Sequence, residues 1–312
     1  MKKIFIALVV IICLAVIGLG VISYLDGRKE SDVNFTVRDT LPEGEGKKAT
    51  VILLGGQSNA AGCSRDEYLK ANVTEEKYKE YERGYDNVYI NYFVTANNES
   101  QGFVNCANMQ GEPNGYFGPE LGLAEKLSAA YPDRTFFIIK YTWSGSNLRE
   151  QWLSPSGRGK TGDLYRQFVK YVNTSLEYLE SKNYDISIEA MCWMQGESDS
   201  STEYFAKNYE AHLKNFIKDI REEFKGYASD DGIAFVDAYI SDSILWPHYK
   251  LINQSKQAVA DSSDINVVID TISAGLTVTE EPIEAPDLAH YDSLSEIKLG
   301  HMYAEEIAKF LD

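Results

Sequence analysis

Ser58 lies in a polar segment, Gly56-Gln57-Ser58-Asn59, that directly follows a short apolar run. A serine that leaves a strand can attack a carbonyl with its hydroxyl, and its own amide can bind the oxyanion that forms. Serine and asparagine are also common in turns and as helix caps, so the segment alone fits either interpretation. Its meaning depends on the residues that accompany it.

Near the carboxyl end, Asp287 precedes His290 by three residues. At this spacing the carboxylate can turn back and accept a hydrogen bond from Nδ1 of the imidazole, which leaves Nε2 free to act as a general base. The Asp-x-x-His pattern is common and gains meaning only from the other segments. With Ser58 it supplies a nucleophile, a base and an orienting carboxylate.

Two further polar segments follow apolar runs and add candidate oxyanion donors. Gly145 allows a ligand to approach its backbone amide closely, although a plain turn explains this glycine as well. Gln195 can donate from its side-chain amide. Glu197 and Asp199 can orient a base or bind sugar hydroxyls, and Asp199 can instead cap the next helix. Together with Ser58, these residues are the parts of serine acyl transfer.

The elements that must position these residues alternate between strands and helices. Continuous apolar runs, typical of strands buried on both faces of a parallel sheet, cover residues 49–54, 135–141, 188–194, 232–236 and 266–270. Amphipathic patterns predict helices at residues 119–130, 164–181, 204–224 and 295–311. Residues 64–117 form a long excursion with one predicted strand near residues 88–94.

This alternation predicts a three-layer, doubly wound α/β fold with a mostly parallel five-stranded sheet. In open sheets of this kind, ligands bind beyond the carboxyl ends of the strands. The candidate residues follow the predicted strands, so we expect them to meet at that edge of the sheet.

The first 25 residues form a separate segment. Lys2 and Lys3 precede an apolar stretch from residue 4 to about residue 21, which is long enough to span a bilayer. The segment predicts export, either as an uncleaved membrane anchor or as a cleaved signal peptide, with the rest of the chain at the cell surface or secreted. We expect residues 26–48 to be a linker and residues 49–312 to form the folded domain.

Composition narrows the choice of partners. The 312 residues include 30 Lys and Arg against 47 Asp and Glu, a formal net charge of −17, which disfavours nucleic acid and anionic membrane surfaces. Contact with a membrane is expected only through the N-terminal segment. Cys63, Cys106 and Cys192 lie outside that segment, and Cys63 with Cys106 is the plausible disulfide if one forms. Because no metal-type cysteine or histidine spacing occurs, neither a metal nor a cofactor is expected.

Four segments occur in an order found in one enzyme superfamily: GQSNAAG, a Ser-Gly turn followed by Leu148 and Trp152, WMQGESD, and DLAHYDSLSEIKLG. In combination they resemble the SGNH hydrolase superfamily. Within it, they look like the branch of sialate O-acetylesterase-like enzymes, or carbohydrate esterase family 6. The resemblance covers residue 49 to the carboxyl end and is specific as a combination, although each motif alone is not.

The resemblance implies a role for each segment. Ser58 is the implied nucleophile, His290 the general base and Asp287 its orienting partner. The implied oxyanion donors are the backbone amides of Ser58 and Gly145 and the side-chain amide of Gln195. Gln195 stands where the wider superfamily usually has an asparagine.

Further residues of these segments are expected to support the site. They are Gln57, Asn59, Glu197 and Asp199. Glu197 could assist His290 in place of Asp287 or together with it. A glycosidase that used Glu197 and Asp199 is possible in principle. Its two carboxyl groups would have to lie roughly 5 Å or more apart across the scissile bond, although the two residues are near neighbours in the sequence.

The implied activity is hydrolysis of O-acetyl esters of carbohydrates, of the sialate or the xylan and cell-wall type, through an acyl-enzyme. One alternative is a lipid or thioester hydrolase on the same fold. Another is a catalytically silent surface protein that binds carbohydrate. The excursion is rich in Tyr and Asn, which favours a sugar ligand because aromatic rings stack on sugar faces and amides bond to hydroxyls.

Overall fold

The computed structural model of the protein describes residues 33–94 and 98–311. The predicted signal or anchor segment, residues 1–25, lies outside this range. No helix within the described range has both the length and the apolar character needed to cross a membrane.

A mostly parallel sheet forms the centre of the domain. The strands of the described residues are β1 (Lys48–Gly56), β2 (Ser64–Arg65), β3 (Tyr85–Val94), β4 (Asn98–Glu99), β5 (Val104–Cys106), β6 (Tyr116–Phe117), β7 (Phe136–Thr142), β8 (Asp185–Met194), β9 (Ala234–Ala238) and β10 (Asn266–Ile269). The main sheet has the order β10-β9-β8-β1-β7-β3-β4, and β5 also pairs with β3. The strands from β10 to β3 are parallel to their neighbours, whereas β4 and β5 run antiparallel to β3.

Helices connect most of these strands. They are α1 (Ser58–Ala61), α2 (Asp66–Asn72), α3 (Glu75–Arg83), α4 (Pro119–Ala130), α5 (Asp163–Ser181), α6 (Glu203–Glu223), α7 (Tyr249–Ala260) and α8 (Ser293–Ile307), with 3₁₀ turns at Asp199–Ser201 and Ala308–Phe310. The four predicted helices are present as α4, α5, α6 and α8. Sequence reasoning missed α1, α2, α3 and α7.

Helices cover both faces of the sheet. On β8, the Trp193 ring packs 4.6 Å from Phe216 of α6, measured between ring centroids. The preceding residue, Cys192, points to the opposite face because side chains alternate along a strand, and there it lies near Tyr303 of α8. This arrangement is the predicted three-layer α/β fold.

The predicted strand count of five was too low. The main sheet has eight strands, because β3 from the long excursion adds a sixth parallel strand and β4 and β5 extend that edge. The remaining pair in the excursion, β2 and β6, forms a small separate sheet. The excursion therefore contributes to the fold and is more than a surface loop.

Residues 35–47, the second half of the predicted linker, pack on the domain. Phe35 contacts the rings of Phe93, Tyr141 and Tyr171, and Leu41 is buried. Apolar side chains at these two positions hold the segment in place, so the domain begins before residue 48. Residues 26–32 lie outside the described range.

The three cysteines expected in the domain are free thiols. Cys106 and Cys192 are buried, and Cys63 is partly exposed. No disulfide therefore joins Cys63 to Cys106.

Candidate active site

The carboxyl ends of β1, β7 and β8 meet at one edge of the sheet. Gly56 pairs with Thr142 on one side and with Met194 on the other. The chain leaves this edge held by two hydrogen bonds, from the Gln57 amide to Met194 O at 2.9 Å and from the Trp143 amide to Gly56 O at 3.1 Å. At Gly56 φ is +141°, and an added Cβ would lie 2.0 Å from Met194 O, so only glycine fits.

Ser58 begins the one-turn helix α1 directly after this edge. Its side chain is largely buried, with 8% of the residue exposed. No hydrogen bond joins its hydroxyl to another described residue, and its backbone amide is likewise unpaired within that range. The hydroxyl and the amide of Ser58 are thus both available to a ligand.

Gly145 lies in the turn after β7, next to Ser144. It is exposed and has a φ of +69°, and an added Cβ would meet no atom within 4 Å. Its amide donates to no acceptor among the described residues. An open backbone amide at the same sheet edge as Ser58 suits an oxyanion donor.

Gln195 is fully buried at the end of β8. Its amide nitrogen lies 2.7 Å from Asp199 Oδ2, 3.1 Å from Ser146 O and 3.3 Å from Gln57 Oε1. Its oxygen accepts from the Tyr209 hydroxyl at 3.0 Å. Through these partners, Gln195 connects the three strand ends. The amide has two hydrogens and three acceptors already surround them, so no hydrogen is left for a substrate.

Asp199 connects the same region to the loop that carries Gly145. Its Oδ2 accepts from the Leu148 amide at 2.9 Å as well as from Gln195. Burial raises the pKa of this carboxyl group to about 6, against the hydrogen bonds that lower it. The predicted support from Asp199 thus acts on the backbone of the loop at residue 148.

His290 and Asp287 form the contact that their spacing predicts. Nδ1 of His290 lies 2.8 Å from Asp287 Oδ2, and Asp287 Oδ1 accepts from the amides of Ala289 and His290. The imidazole is 27% exposed. Burial lowers the pKa of His290, but the Cys63 sulfur and the Asp287 carboxylate outweigh it, and the pKa is raised well above its ordinary value.

Asn59 connects the nucleophile turn to the His290 loop. Its side-chain nitrogen donates to Ala289 O at 3.3 Å, and its oxygen accepts from the Tyr291 amide at 3.1 Å. The residue next to Ser58 thus binds the backbone on both sides of His290. Since Asn59 is buried, these bonds fix the two loops relative to each other.

Glu197 holds the Asn59 side chain in place. Its Oε1 accepts from the Asn59 nitrogen at 2.7 Å, while its Oε2 has no partner among the described residues. Burial raises the pKa of Glu197. No hydrogen bond within the described range joins Glu197 to His290, and its hydrogen-bonded connection to the His290 loop runs through Asn59.

Sequence reasoning missed Cys63 and Ser64. The Ser64 hydroxyl donates to Tyr291 O at 2.6 Å, which places the neighbouring Cys63 beside His290. Cys63 interacts with the imidazole and lines a small cleft with it. Burial raises the pKa of the Cys63 thiol. A nucleophile search that included cysteines next to the Ser58 motif could have found it.

Glu112 is a second residue that the sequence did not reveal. Its amide donates to Gly62 O at 2.8 Å, and its Oε2 accepts from the Ser144 hydroxyl at 2.6 Å. It therefore bridges the turn after Ser58 and the loop of Gly145. It lies in the irregular part of the long excursion, where no spacing pattern marks it.

Lys140 and Glu120 form an ion pair below the nucleophile turn. Both side chains are completely buried, and Nζ lies 2.7 Å from Oε2. Nζ also donates to Ala61 O at 2.9 Å and to Gln110 O at 3.2 Å. A lysine inside the predicted strand of residues 135–141 was the available signal, because a buried lysine needs a partner.

No group of three or more His, Cys, Asp or Glu side chains in the described range is arranged to hold a metal ion.

Comparisons with known proteins identify the family of the chain. The model of the family described as SASA, carbohydrate esterase, sialic acid-specific acetylesterase, matches residues 48–309. None of the curated proteins compared with the sequence matches it.

Several solved structures share the fold. NanS has a TM-score of 0.62 at 17% identity, over 87% of this chain and 99% of its own. A protein from Arabidopsis thaliana has a TM-score of 0.61 at 15% identity, over 84% of this chain and 99% of its own. A carbohydrate acetylesterase from Xanthomonas citri has a TM-score of 0.53 at 15% identity, over 84% of this chain and 56% of its own. At these identities the likeness shows the fold alone.

The family match extends over most of the chain and includes each segment that builds the candidate site. The protein therefore belongs to the sialic acid-specific acetylesterase family of carbohydrate esterases, which are carboxylic ester hydrolases.

Proposed function

We propose that the protein removes O-acetyl groups from carbohydrates as a serine esterase, with Ser58 as nucleophile and His290 as general base. Nε2 of His290 takes the Ser58 proton as Oγ attacks the acetyl carbonyl, and the amides of Ser58 and Gly145 bind the oxyanion. The sugar hydroxyl leaves with that proton. His290 then activates a water molecule that releases acetate from Ser58.

The observation that carries the proposal is the position of Asn59. By binding the backbone at Ala289 and Tyr291, this side chain brings the base loop to the nucleophile turn. Ser58 and His290 share no hydrogen bond in this structure, and such bonds commonly tighten only when substrate is bound. Asp287 already holds Nδ1 and so directs Nε2 to the cleft.

The roles of the supporting residues follow from their contacts. Gln195, Gln57 and Asp199 hold the strand ends and the Gly145 loop, so we propose that the oxyanion hole consists of the two backbone amides, with Gln195 behind it. Glu197 fixes the Asn59 side chain. We therefore propose that Asp287 alone orients His290.

The test compares two nucleophiles beside one base, Ser58 and Cys63. We expect Ser58→Ala to reduce hydrolysis of 4-nitrophenyl acetate at least about 10³-fold, because the attacking oxygen is gone. Cys63→Ala should keep most of the activity. Circular dichroism shows whether each variant is folded. A folded Ser58→Ala protein with normal turnover, or a loss found only in Cys63→Ala, would overturn the assignment of Ser58.

A covalent probe gives an independent readout. Phenylmethylsulfonyl fluoride should add to the peptide that contains Ser58, and His290→Ala should slow that addition. Ser58 and Cys63 share the tryptic peptide of residues 49–65, so fragmentation mass spectrometry must locate the label within it. Label on the Cys63 sulfur, with none on the Ser58 oxygen, would identify the cysteine as the nucleophile.

We also propose that the protein is exported and acts at the cell surface or in secreted form, on the basis of residues 1–25. Fractionation of cells that express the full chain, with activity assays on the medium and the membranes, tests this. Activity confined to the soluble interior of the cell would contradict it.

A further inference from the structure

Glu112 places a carboxylate next to the groups that we propose bind the acyl oxygen. Its backbone is bonded to Gly62, and its side chain accepts from Ser144, the neighbour of Gly145. It also lies close enough to Cys63 to raise the pKa of that thiol. The Glu112 side chain is thus held between the nucleophile turn and the oxyanion loop, and it is partly exposed.

The cleft beside His290 adds further negative charge. Its lining includes Asp287 and Glu281 together with Arg65 and Tyr68. Hydrogen bonds from Ser293 hold the Glu281 carboxylate and lower its pKa, although burial raises that pKa overall. Two carboxylates of the lining thus face the same small space as the general base.

The basic side chains near this cleft already have carboxylate partners. Arg65, the one lysine or arginine among the described lining residues, lies 3.3 Å from the Glu67 carboxylate, and His290 is paired with Asp287. Lys140, the cation below the nucleophile turn, is buried against Glu120. A carboxylate on the substrate would therefore meet Glu112, Glu281 and Asp287, while Arg65 and Lys140 are already paired with carboxylates of the protein.

From this arrangement we infer that the site selects uncharged acetylated sugars over sugars that bear a carboxylate, and that Glu112 determines much of this selectivity. The inference rests on the proposed function and names its substrate class. A carboxylate accepts hydrogen bonds only, so Glu112 can bind the hydroxyls of a neutral sugar while it repels an anion. The description of the family points to an acidic sugar, whereas the charges of this chain favour a neutral one.

The experiment compares one sugar with and without its charge. The methyl glycoside of an O-acetylated sialic acid and its C1 carboxamide present the same ester, and acetate release gives kcat/KM for each. We expect the carboxamide to be preferred about tenfold at low salt, with the preference shrinking at 0.5 M NaCl as charges are screened. An equal or reversed preference at low salt would overturn the inference.

Two variants separate local charge from net charge. Glu112→Gln removes one charge at the site, and Glu222→Gln removes one at the far end of α6, where Glu222 is exposed and paired with Lys225. In the Glu112→Gln variant, the preference for the carboxamide over the carboxylate should fall to about threefold or less. In the Glu222→Gln variant, it should stay near the wild-type value. An equal fall in both variants, or in neither, would contradict the role of Glu112.

Hydrolysis of 4-nitrophenyl acetate distinguishes a failure of the proposed function from a failure of the inference about charge. If the wild-type protein does not hydrolyse this neutral ester, the proposed function fails. If it does so and still prefers the carboxylate sugar, only the inference about charge is wrong.

Discussion

Ser58 and Gly145 follow strands in the middle of a buried parallel sheet, whereas His290 lies in a segment, residues 270–292, that contains no helix or strand. The first region is positioned by backbone pairing and by the buried Gln195 amide. The second is positioned by side chains that bind its backbone. In particular, the buried Asp292 carboxylate accepts from the amides of residues 279–281.

This difference shows how one site combines two kinds of order. Sheet pairing distributes the cost of moving Ser58 over many bonds, so no single side chain controls its place. The base loop depends on a few side-chain bonds, each worth about 1 kcal/mol. Single substitutions should therefore affect the placement of the base more than that of the nucleophile.

The largest effect is expected for Asp287→Asn. The variant loses the carboxylate that orients His290, and kcat/KM should fall about 10³-fold. Activity requires the neutral imidazole, so it rises with pH through the pKa of His290, which is raised above its ordinary value in the native protein. Because the carboxylate helps to raise that pKa, the acidic limb of the pH profile should move to lower pH. A midpoint that does not move would argue against this role.

The next largest effect is a pH-dependent change in the free energy of unfolding, which comes from Asp199 in the region that carries Ser58. The pKa of Asp199 is raised from 3.8 to about 6 in the folded protein. The folded state therefore binds the proton more tightly than the unfolded state, and ionisation of Asp199 lowers stability as the pH rises from 3.8 to 6. Relative to Asp199→Asn, which does not titrate, the wild type should lose about 3 kcal/mol over this interval. Urea denaturation of both proteins at several pH values measures the difference, and a constant difference would contradict the prediction.

Asn59→Ala cuts the link between the two regions. It removes the bonds to Ala289 and Tyr291, so kcat should fall about 30-fold, equivalent to about 2 kcal/mol, while KM changes little. The control is Asn208→Ala, which removes a hydrogen bond on the exposed side of α6. A change in KM alone would mean that Asn59 binds substrate and does not position the base.

The smallest effect is expected for Ser64→Ala. This variant removes one bond to the base loop, from the hydroxyl to Tyr291 O, and should lower kcat about fivefold, or about 1 kcal/mol. Combined with Asn59→Ala, the losses should exceed the sum of the two, since both bonds hold the same residue. Strict additivity would indicate that the two bonds act on separate elements.

Much of the fold could be predicted from apolar periodicity. Helix α4 has the predicted bounds, and each predicted parallel strand is present. Helix α7 was missed because its buried face includes the polar residues Asn253 and Lys256, which break the apolar stripe. Lys256 can be buried there because Asp237 pairs with it, a contact that no local pattern reveals.

The candidate site likewise contains residues that the sequence reveals and residues that it does not. Polar residues after buried strands could be found in the sequence, because parallel strands end at one edge. Glu112 could not be found, since it reaches the site through an irregular loop. The donor role predicted for Gln195 assumed a free amide, and only the structure reveals that Gln57, Ser146 and Asp199 already surround it.

The buried Lys140 and Glu120 pair also has a consequence for how the protein opens. Lys140 Nζ binds carbonyl groups of Ala61 and Gln110 as well as Glu120, which lie far apart along the chain. Detaching any one of these segments would leave a charge or a carbonyl unpaired in the interior. The nucleophile turn and the excursion should therefore unfold together with β7 as one cooperative unit, and their most protected amides should exchange with solvent only when that strand does.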